Sequence, residues 1–441
     1  MDKNTVAIFD RKMECMSRSQ IKSLQLFKLQ GTVSHCYQNS PFYRRLFDEH
    51  GVAPQDIQSL DDIRRLPFTN KTDLRDTYPF GMFSAPMDQI VRLHASSGTT
   101  GKPTTVGYTQ NDIGIWAQCC ARSLGCAGAT RNDVVQVAYG YGLFTGGMGI
   151  HYGAECLGAM ALPISSGNTM RQIMLMQDFN ASILACTPSY ALMIFEKIHE
   201  MGIPLENFKL RAGCFGAEPW TEGMRSHIEE LMHIDALDIY GLSETMGPGV
   251  AMECKEAKYG LHVWEDYFLV EIVDPATGEP LPDGEFGELV ITTLGKEGIP
   301  TIRYRTHDIT CIIPEPCVCG RTHRRIHRLT GRTDDMLIIR GVNVFPSQIE
   351  TVLTATPGIS PHYLLVVDRI NNLDSLEVQV EMAPELIHDE VRKIEELRET
   401  LQRSIMHILG LSAKVRLMQP RSIERSEGKA KRILDKRKLY E

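Results

Sequence analysis

The chain has 441 residues, long enough for two or three domains and a large buried core. Its apolar, charged and aromatic fractions, 43%, 23% and 7%, are those of an ordinary globular protein. A formal net charge of -8 argues against general affinity for nucleic acid or for an anionic membrane surface.

Residues 17–74 read as helices. Apolar residues recur at helical spacing from 20 to 37, and Ser40-Pro41, Ser59-Leu60-Asp61-Asp62 and Thr69-Asn70-Lys71-Thr72 look like helix starts. The segment Ser96-Ser97-Gly98-Thr99-Thr100-Gly101-Lys102 comes next. Its hydroxyls donate hydrogen bonds, its two glycines free backbone N–H groups to point inward, and Lys102 supplies a cation, a combination suited to polyphosphate. It departs from the common nucleotide P-loop, which needs a glycine where Ser96 stands and Ser or Thr where Pro103 stands. Residues 104–109 read as a strand, so the loop is expected to join two strands. A Ser/Thr/Gly-rich surface turn is the other reading of this stretch alone.

Strand-like and helix-like segments then alternate. Strands are expected at 134–138, 159–164, 182–186, 210–215 and 236–240, with helices at 112–124, 147–157, 188–201 and 221–232. This alternation predicts an α/β fold, a mainly parallel sheet with helices on both faces. Ligands in such sheets bind beyond the carboxyl ends of the strands, where Gly216-Ala217-Glu218 and Gly241-Leu242-Ser243-Glu244 fall. From about 266 to 331 the pattern turns to β, with strands at 268–273, 287–293 and 302–313. The remainder, 332–441, reads as a small α+β domain: strands at 336–339, 363–367, 375–382 and 414–418, and helices at 346–354 and 389–409. The expected division is therefore a large domain over 1–331, including the β subdomain, and a small one over 332–441. The basic run 429–438 reads as solvated surface.

No apolar run is long enough to span a bilayer, and the opening residues Met1-Asp2-Lys3-Asn4 are polar and carry no signal-peptide core. With 12 cysteines scattered through the chain, reduced thiols in a cytoplasm are expected. Four residues stand out as metal ligands. Cys317 and Cys319 form a C-x-C pair, and Cys254 and His262 lie in one upstream loop; three thiolates and one imidazole would close a tetrahedral structural zinc site. The spacing matches no common zinc finger, His323 competes as a ligand, and free cysteines also serve as small buried hydrophobes. The segment Tyr139-Gly140-Tyr141-Gly142-Leu143-Phe144-Thr145-Gly146-Gly147 sets aromatics beside glycines, leaving room for a flat ring and a face to stack on. Tyr141, Phe144 and Gly147 are the candidate substrate contacts, with Tyr190 behind them. The alternative is a loop whose aromatics join the core.

Six segments, in order from Ser96 to the end, now carry a resemblance: Ser96–Lys102, Phe215-Gly216-Ala217-Glu218-Pro219, Tyr240-Gly241-Leu242-Ser243-Glu244, Tyr304-Arg305-Thr306-His307-Asp308, Gly331-Arg332-Thr333-Asp334-Asp335 and Arg425-Ser426-Glu427-Gly428-Lys429. Together they resemble the acyl-adenylate-forming enzymes, and within them the phenylacetate–CoA ligases, an aryl-acid–CoA ligase branch. The resemblance implies a large N-terminal domain, a mobile C-terminal lid, and a two-step reaction. A carboxylate attacks ATP to give an acyl-adenylate and pyrophosphate, and the thiol of coenzyme A then displaces AMP. It implies that Ser97, Thr99, Thr100 and Lys102 hold the β- and γ-phosphates, with Lys102 counted as catalytic. Gly216, Ala217, Glu218 and Pro219 would line the adenine pocket with Tyr240 stacked on the base, and Gly241 and Ser243 would complete that turn. Glu244 would help ligate Mg2+, Asp308 would accept the ribose hydroxyls, Arg332 would contact the nucleotide, and Asp334 would be the hinge. Lys429 would bridge the acid and the α-phosphate as charge builds there. Phenylacetate is the first substrate expected, indoleacetate the second, and a homodimer is implied. The rival readings are transfer to a carrier-protein thiol and a non-catalytic nucleotide-binding regulator.

Overall fold

The computed structural model describes residues 6–96, 103–333, 337–340, 342–370, 373–388, 391–426 and 429–437. The chain divides into two compact units. The first comprises Met1–Cys186, Pro204–Ala217 and Ile234–Leu329; the second comprises Thr187–Ile203, Glu218–His233 and Thr330–Glu441.

The first unit is an α/β structure on a nine-stranded sheet. Its parallel half runs Met160–Pro163, Val134–Val137, Ile183–Cys186, Ala212–Gly216 and Asp235–Tyr240 in spatial order. The strands are short and mostly apolar; Ile183–Cys186 is buried at every position, as expected for a strand covered on both faces, while the edge strand Met160–Pro163 is not. The sheet then turns antiparallel through Ala251–Glu253, Leu261–Val263, Arg325–Ile326 and Ile312–Ile313. That half was not expected from the sequence. Its strands hold two or three residues each, too few to show a period.

Phe268–Val273, Gly287–Thr293 and Tyr304–Thr310 pair antiparallel in a separate layer. The single strand expected over 302–313 is thus divided. Tyr304–Thr310 pairs within this layer, while Ile312–Ile313, one residue further on, pairs with Arg325–Ile326 in the large sheet. The N-terminal helix Arg18–Asn39 begins with a capping box: the Ser17 side chain accepts the Gln20 N–H, and the Gln20 side chain accepts the Ser17 N–H.

In the second unit, strands run in the order Lys414–Met418, Leu373–Met382, Ile359–Ile370 and Ile433–Asp435. Helices Pro346–Thr354 and Val391–Leu409 supply Leu353, Leu401 and Ile405 to the core beneath them. Helices Pro188–Glu200 and Glu222–Met232 belong to this unit too; the His362 ring lies 3.0 Å from Glu196 on the first of them. The basic run near the C-terminus is more than solvated surface. Ile433–Asp435 adds a parallel edge strand. Arg432 lies 4.5 Å from the Tyr363 ring centroid, and Arg437 pairs with Asp374 and Asp435 at 2.8 Å. Among the described residues no helix is long and apolar enough to cross a membrane.

Candidate active site

The two strands that flank the phosphate-type segment pair with each other. Arg92–Ser96 and Thr104–Tyr108 pair antiparallel, with Ser96 opposite Thr104. Ser97, Thr99, Thr100 and Lys102 lie outside the described residues. The base of the loop is described, and Glu244 stands there. The Glu244 carboxylate is buried, with Thr104 Oγ1 at 3.4 Å, Ser96 Oγ at 3.5 Å and Lys71 Nζ at 3.7 Å. It sits in the one-turn helix Ser243–Thr245, directly after the strand Asp235–Tyr240. Two glycines make that turn. A Cβ on Gly241 would lie 2.6 Å from Gly247 Cα, and a Cβ on Gly247 would lie 2.4 Å from Gly241 C, so the loop can fold back on itself only without side chains. Ser243 Oγ meets Thr145 Oγ1 at 3.0 Å.

Behind Glu244 lies Lys296, 2% exposed, whose ammonium donates to the Glu244 carbonyl at 3.0 Å. Burial lowers its pKa from 10.5 to about 8, opposed by the charges of Asp112 and Glu244. A buried carboxylate flanked by hydroxyls and two ammonium groups, at the root of a glycine-rich loop, is equipped to hold a hard cation with its phosphates.

At the same strand end the Tyr240 hydroxyl donates to Asp308 Oδ2 at 2.6 Å, with both residues buried. This bond fixes the phenol ring at the edge of the site and orients the carboxylate. Gly216 ends the neighbouring strand, and Ala217 takes a positive φ of 68° directly after it. Ala217 and Pro219 are exposed, and Glu218 is half-buried.

Of the substrate-loop candidates, Tyr141 is half-buried, and its hydroxyl lies 3.3 Å from His151 Nδ1. Gly147 is buried; a Cβ there would meet the Gly140 carbonyl at 2.9 Å. Phe144 is 53% exposed. In the second unit Arg332 is half-buried in the short strand Gly331–Arg332, and Asp334 lies outside the described residues. Lys429 is exposed, and the N–H of the next residue, Ala430, donates to Glu218 Oε2 at 2.8 Å.

The Cys/His set comes together. Ligand atoms of Cys254, His262, Cys317 and Cys319 all lie within 4.8 Å of one another. Cys254 Sγ is 3.5 Å from Cys317 Sγ, and Cys319 Sγ is 3.4 Å from His262 Nε2. His262 Nδ1 faces the His323 carbonyl at 3.3 Å, which sets the proton on Nδ1 and turns the Nε2 lone pair toward the thiols. Hydrogen bonds from Cys254 hold the Cys317 and Cys319 thiols below the usual range. The competing ligand His323 is engaged elsewhere: its Nδ1 accepts the Glu265 N–H at 2.9 Å, and its Nε2 lies 3.0 Å from the Met13 carbonyl. Three cysteine sulfurs and an imidazole within this span fit a tetrahedral ion.

Two family models match the chain: AMP-binding enzyme over residues 43–295 and AMP-binding enzyme C-terminal domain over residues 341–437. The chain is 52% identical over 427 residues to a phenylacetate-coenzyme A ligase of Aromatoleum evansii, covering 96% of each protein. It is 52% identical over 431 residues to that of Escherichia coli, covering 97% of each. The chain belongs to the phenylacetate–CoA ligase family. Among solved structures it is similar to 2-hydroxyisobutyryl-CoA ligase in the postadenylation state with R3-HIB-AMP, at TM-score 0.91 and 29% identity, covering 97% of this chain and 92% of that one. The α/β architecture expected from the strand–helix alternation is that of this family.

Two lysines at the Glu244 corner had no signal in the sequence. Lys71 was visible only as part of a helix start, and it opens the helix Lys71–Asp76. Lys296 sits in Leu294-Gly295-Lys296-Glu297-Gly298, which reads as an ordinary turn. A lysine is rarely fully buried, so only its three-dimensional position exposes it as part of the site.

Proposed function

We propose that the chain condenses phenylacetate with coenzyme A at the expense of ATP, releasing AMP and pyrophosphate. The observation that carries this reading is the buried Glu244 carboxylate at the root of the phosphate-type loop, beside the Tyr240–Asp308 pair, in a chain that belongs to this ligase family. In the first half-reaction the acid's carboxylate oxygen attacks the α-phosphate, and pyrophosphate leaves. In the second the CoA thiol attacks the acyl carbon, and AMP leaves. The mixed anhydride is reactive toward water, so the site must stay dry between the steps.

Ser97, Thr99, Thr100 and Lys102 bind the β- and γ-phosphates. Gly216, Ala217 and Pro219, with Gly241 and Ser243, form the turns around the adenine. Tyr240 stacks on the base and Asp308 accepts the ribose hydroxyls. Arg332 contacts the nucleotide, Asp334 is the hinge, and Lys429 bridges the acid and the α-phosphate. Glu244 would supply a carboxylate oxygen to Mg2+, which when bound would screen the phosphate charge. Tyr141, Phe144 and Gly147 border the aryl ring. Cys254, His262, Cys317 and Cys319 hold a structural zinc, and the free thiols of the chain point to a reducing, cytoplasmic setting.

Competition kinetics over a panel of acids test the substrate. Phenylacetate should give the highest kcat/KM, indoleacetate a lower one, and short aliphatic acids the lowest; absence of any preference for an aryl ring would overturn the assignment. Metal analysis of the purified protein tests the zinc, with one equivalent expected per chain and none contradicting it.

A further inference from the structure

Resemblance implies that Glu218 lines the adenine pocket; its carboxylate also holds two backbone N–H groups. One oxygen, Oε1, accepts the N–H of Ser189 at 2.8 Å, and the other, Oε2, accepts the N–H of Ala430 at 2.8 Å. Ser189 is the second residue of the helix Pro188–Glu200, whose N-cap Thr187 accepts the Tyr190 N–H. The Ser189 N–H is one of the first-turn donors that an α-helix does not pair within itself, and a carboxylate is favoured there by both the hydrogen bond and the helix dipole. Ala430 directly follows Lys429. A single carboxylate thus ties the start of a rigid thirteen-residue helix to the peptide that carries the candidate reacting lysine.

The neighbourhood is built to keep this carboxylate in place. Arg432, two residues beyond Ala430, is a cation whose raised pKa owes part of its shift to Glu218, after Tyr363 and Glu350. Upstream, Arg425 makes a two-pronged pair with Glu381, 2.8 Å on each arm. The Lys429 segment is pinned on the N-terminal side by Arg425 and on the C-terminal side by Glu218.

We infer that Glu218 is a positioning residue for Lys429: its carboxylate is a catch that holds the lysine-bearing loop in place for adenylation. The inference rests on the role proposed above for Lys429. The catch uses one charge-assisted hydrogen bond to a backbone N–H, strong enough to order a loop and weak enough to open. The helix-side bond to Ser189 keeps the carboxylate aimed while the Ala430 bond opens and closes. Thioester formation makes no bond to phosphorus, so on the role proposed for Lys429 it does not call on the catch.

The test is Glu218→Gln, nearly isosteric, assayed in two half-reactions: acid-dependent exchange of pyrophosphate into ATP, and thioester formation from supplied phenylacetyl-adenylate and CoA. The amide can accept one of the two N–H groups but presents an NH2 to the other. Exchange kcat should fall about 10- to 100-fold, the size of one lost charge-assisted hydrogen bond, with KM for ATP little changed. Thioester formation should stay within about twofold, and Glu218→Ala should show the same split. A rise in KM for ATP at unchanged kcat would assign the carboxylate to the adenine pocket and overturn the inference. Equal loss in both half-reactions, or no loss, would overturn it as well. Lys429→Ala run in parallel separates the two readings. If it spares exchange, the role of Lys429 fails; if it blocks exchange selectively and Glu218→Gln does not, the catch alone fails.

Discussion

Two sites in the first unit are built on opposite plans. The Cys254–His262–Cys317–Cys319 cluster gathers four soft donors within 4.8 Å, and they satisfy one another through thiol–thiol and thiol–imidazole contacts. At the Glu244 corner a single hard carboxylate is approached by Thr104, Ser96 and Lys71 at 3.4 to 3.7 Å, each longer than a well-made hydrogen bond. A saturated set suits an ion that stays and cross-links loops. A loosely held carboxylate suits an ion and phosphates that come and go. On the proposed roles, stability and turnover rest on separate parts of the same unit, and the contrast predicts that each can be removed without the other.

The largest expected effect is on turnover. Glu244→Gln keeps the shape and removes the charge; pyrophosphate exchange should fall by about 100- to 1,000-fold, as for loss of one preorganised electrostatic contact. Thermal unfolding should be unchanged. A melting shift as large as that of a cluster variant would erase the distinction between the two sites. Next comes Cys319→Ser, which removes one soft ligand. Metal content should drop to near zero and the melting temperature by about 5–10 °C, while kcat at low temperature stays within about threefold. Retained metal, or a selective loss of activity with no loss of stability, would contradict the structural reading.

The smallest effect concerns Lys296, which carries a charge into the wall behind Glu244. Its pKa is lowered to about 8 in the folded chain and is 10.5 when unfolded. Between those values the unfolded state binds more protons, so this group makes stability rise with pH across that window. Lys296→Met lacks that rise. The denaturation midpoint of the native chain relative to the variant should therefore climb from pH 8 to pH 10.5, and a flat difference would show that the ammonium is not desolvated as the geometry indicates.

The chain's sequence makes the first plan easier to read than the second. The four cluster residues, three thiols and an imidazole, are rare types in two short segments; they stood out by residue type, while their spacing matched no common zinc finger and left His323 as a competitor. The parallel half of the sheet was equally legible, because four of its five strands are followed by a helix and the central ones, such as Ile183–Cys186, are buried apolar runs. Its antiparallel half was not, because Ala251–Glu253, Leu261–Val263 and Arg325–Ile326 are defined by pairing and not by period. Glu244 was visible as a carboxylate after a strand, but Lys71 and Lys296 were not, since they arrive from segments about 170 residues before it and 52 residues after it. Glu218 shows the limit most clearly. Its motif placed it with the nucleotide turns, while its side chain points to two backbone N–H groups that no sequence pattern encodes.

The central claim is that this chain turns a carboxylic acid into an AMP ester before any thiol takes part. Exchange of labelled pyrophosphate into ATP, measured with phenylacetate and without CoA, tests it most directly. The account predicts exchange that depends on both the acid and Mg2+, with AMP released once CoA is added. Exchange without acid, or ADP and phosphate as products, would contradict it.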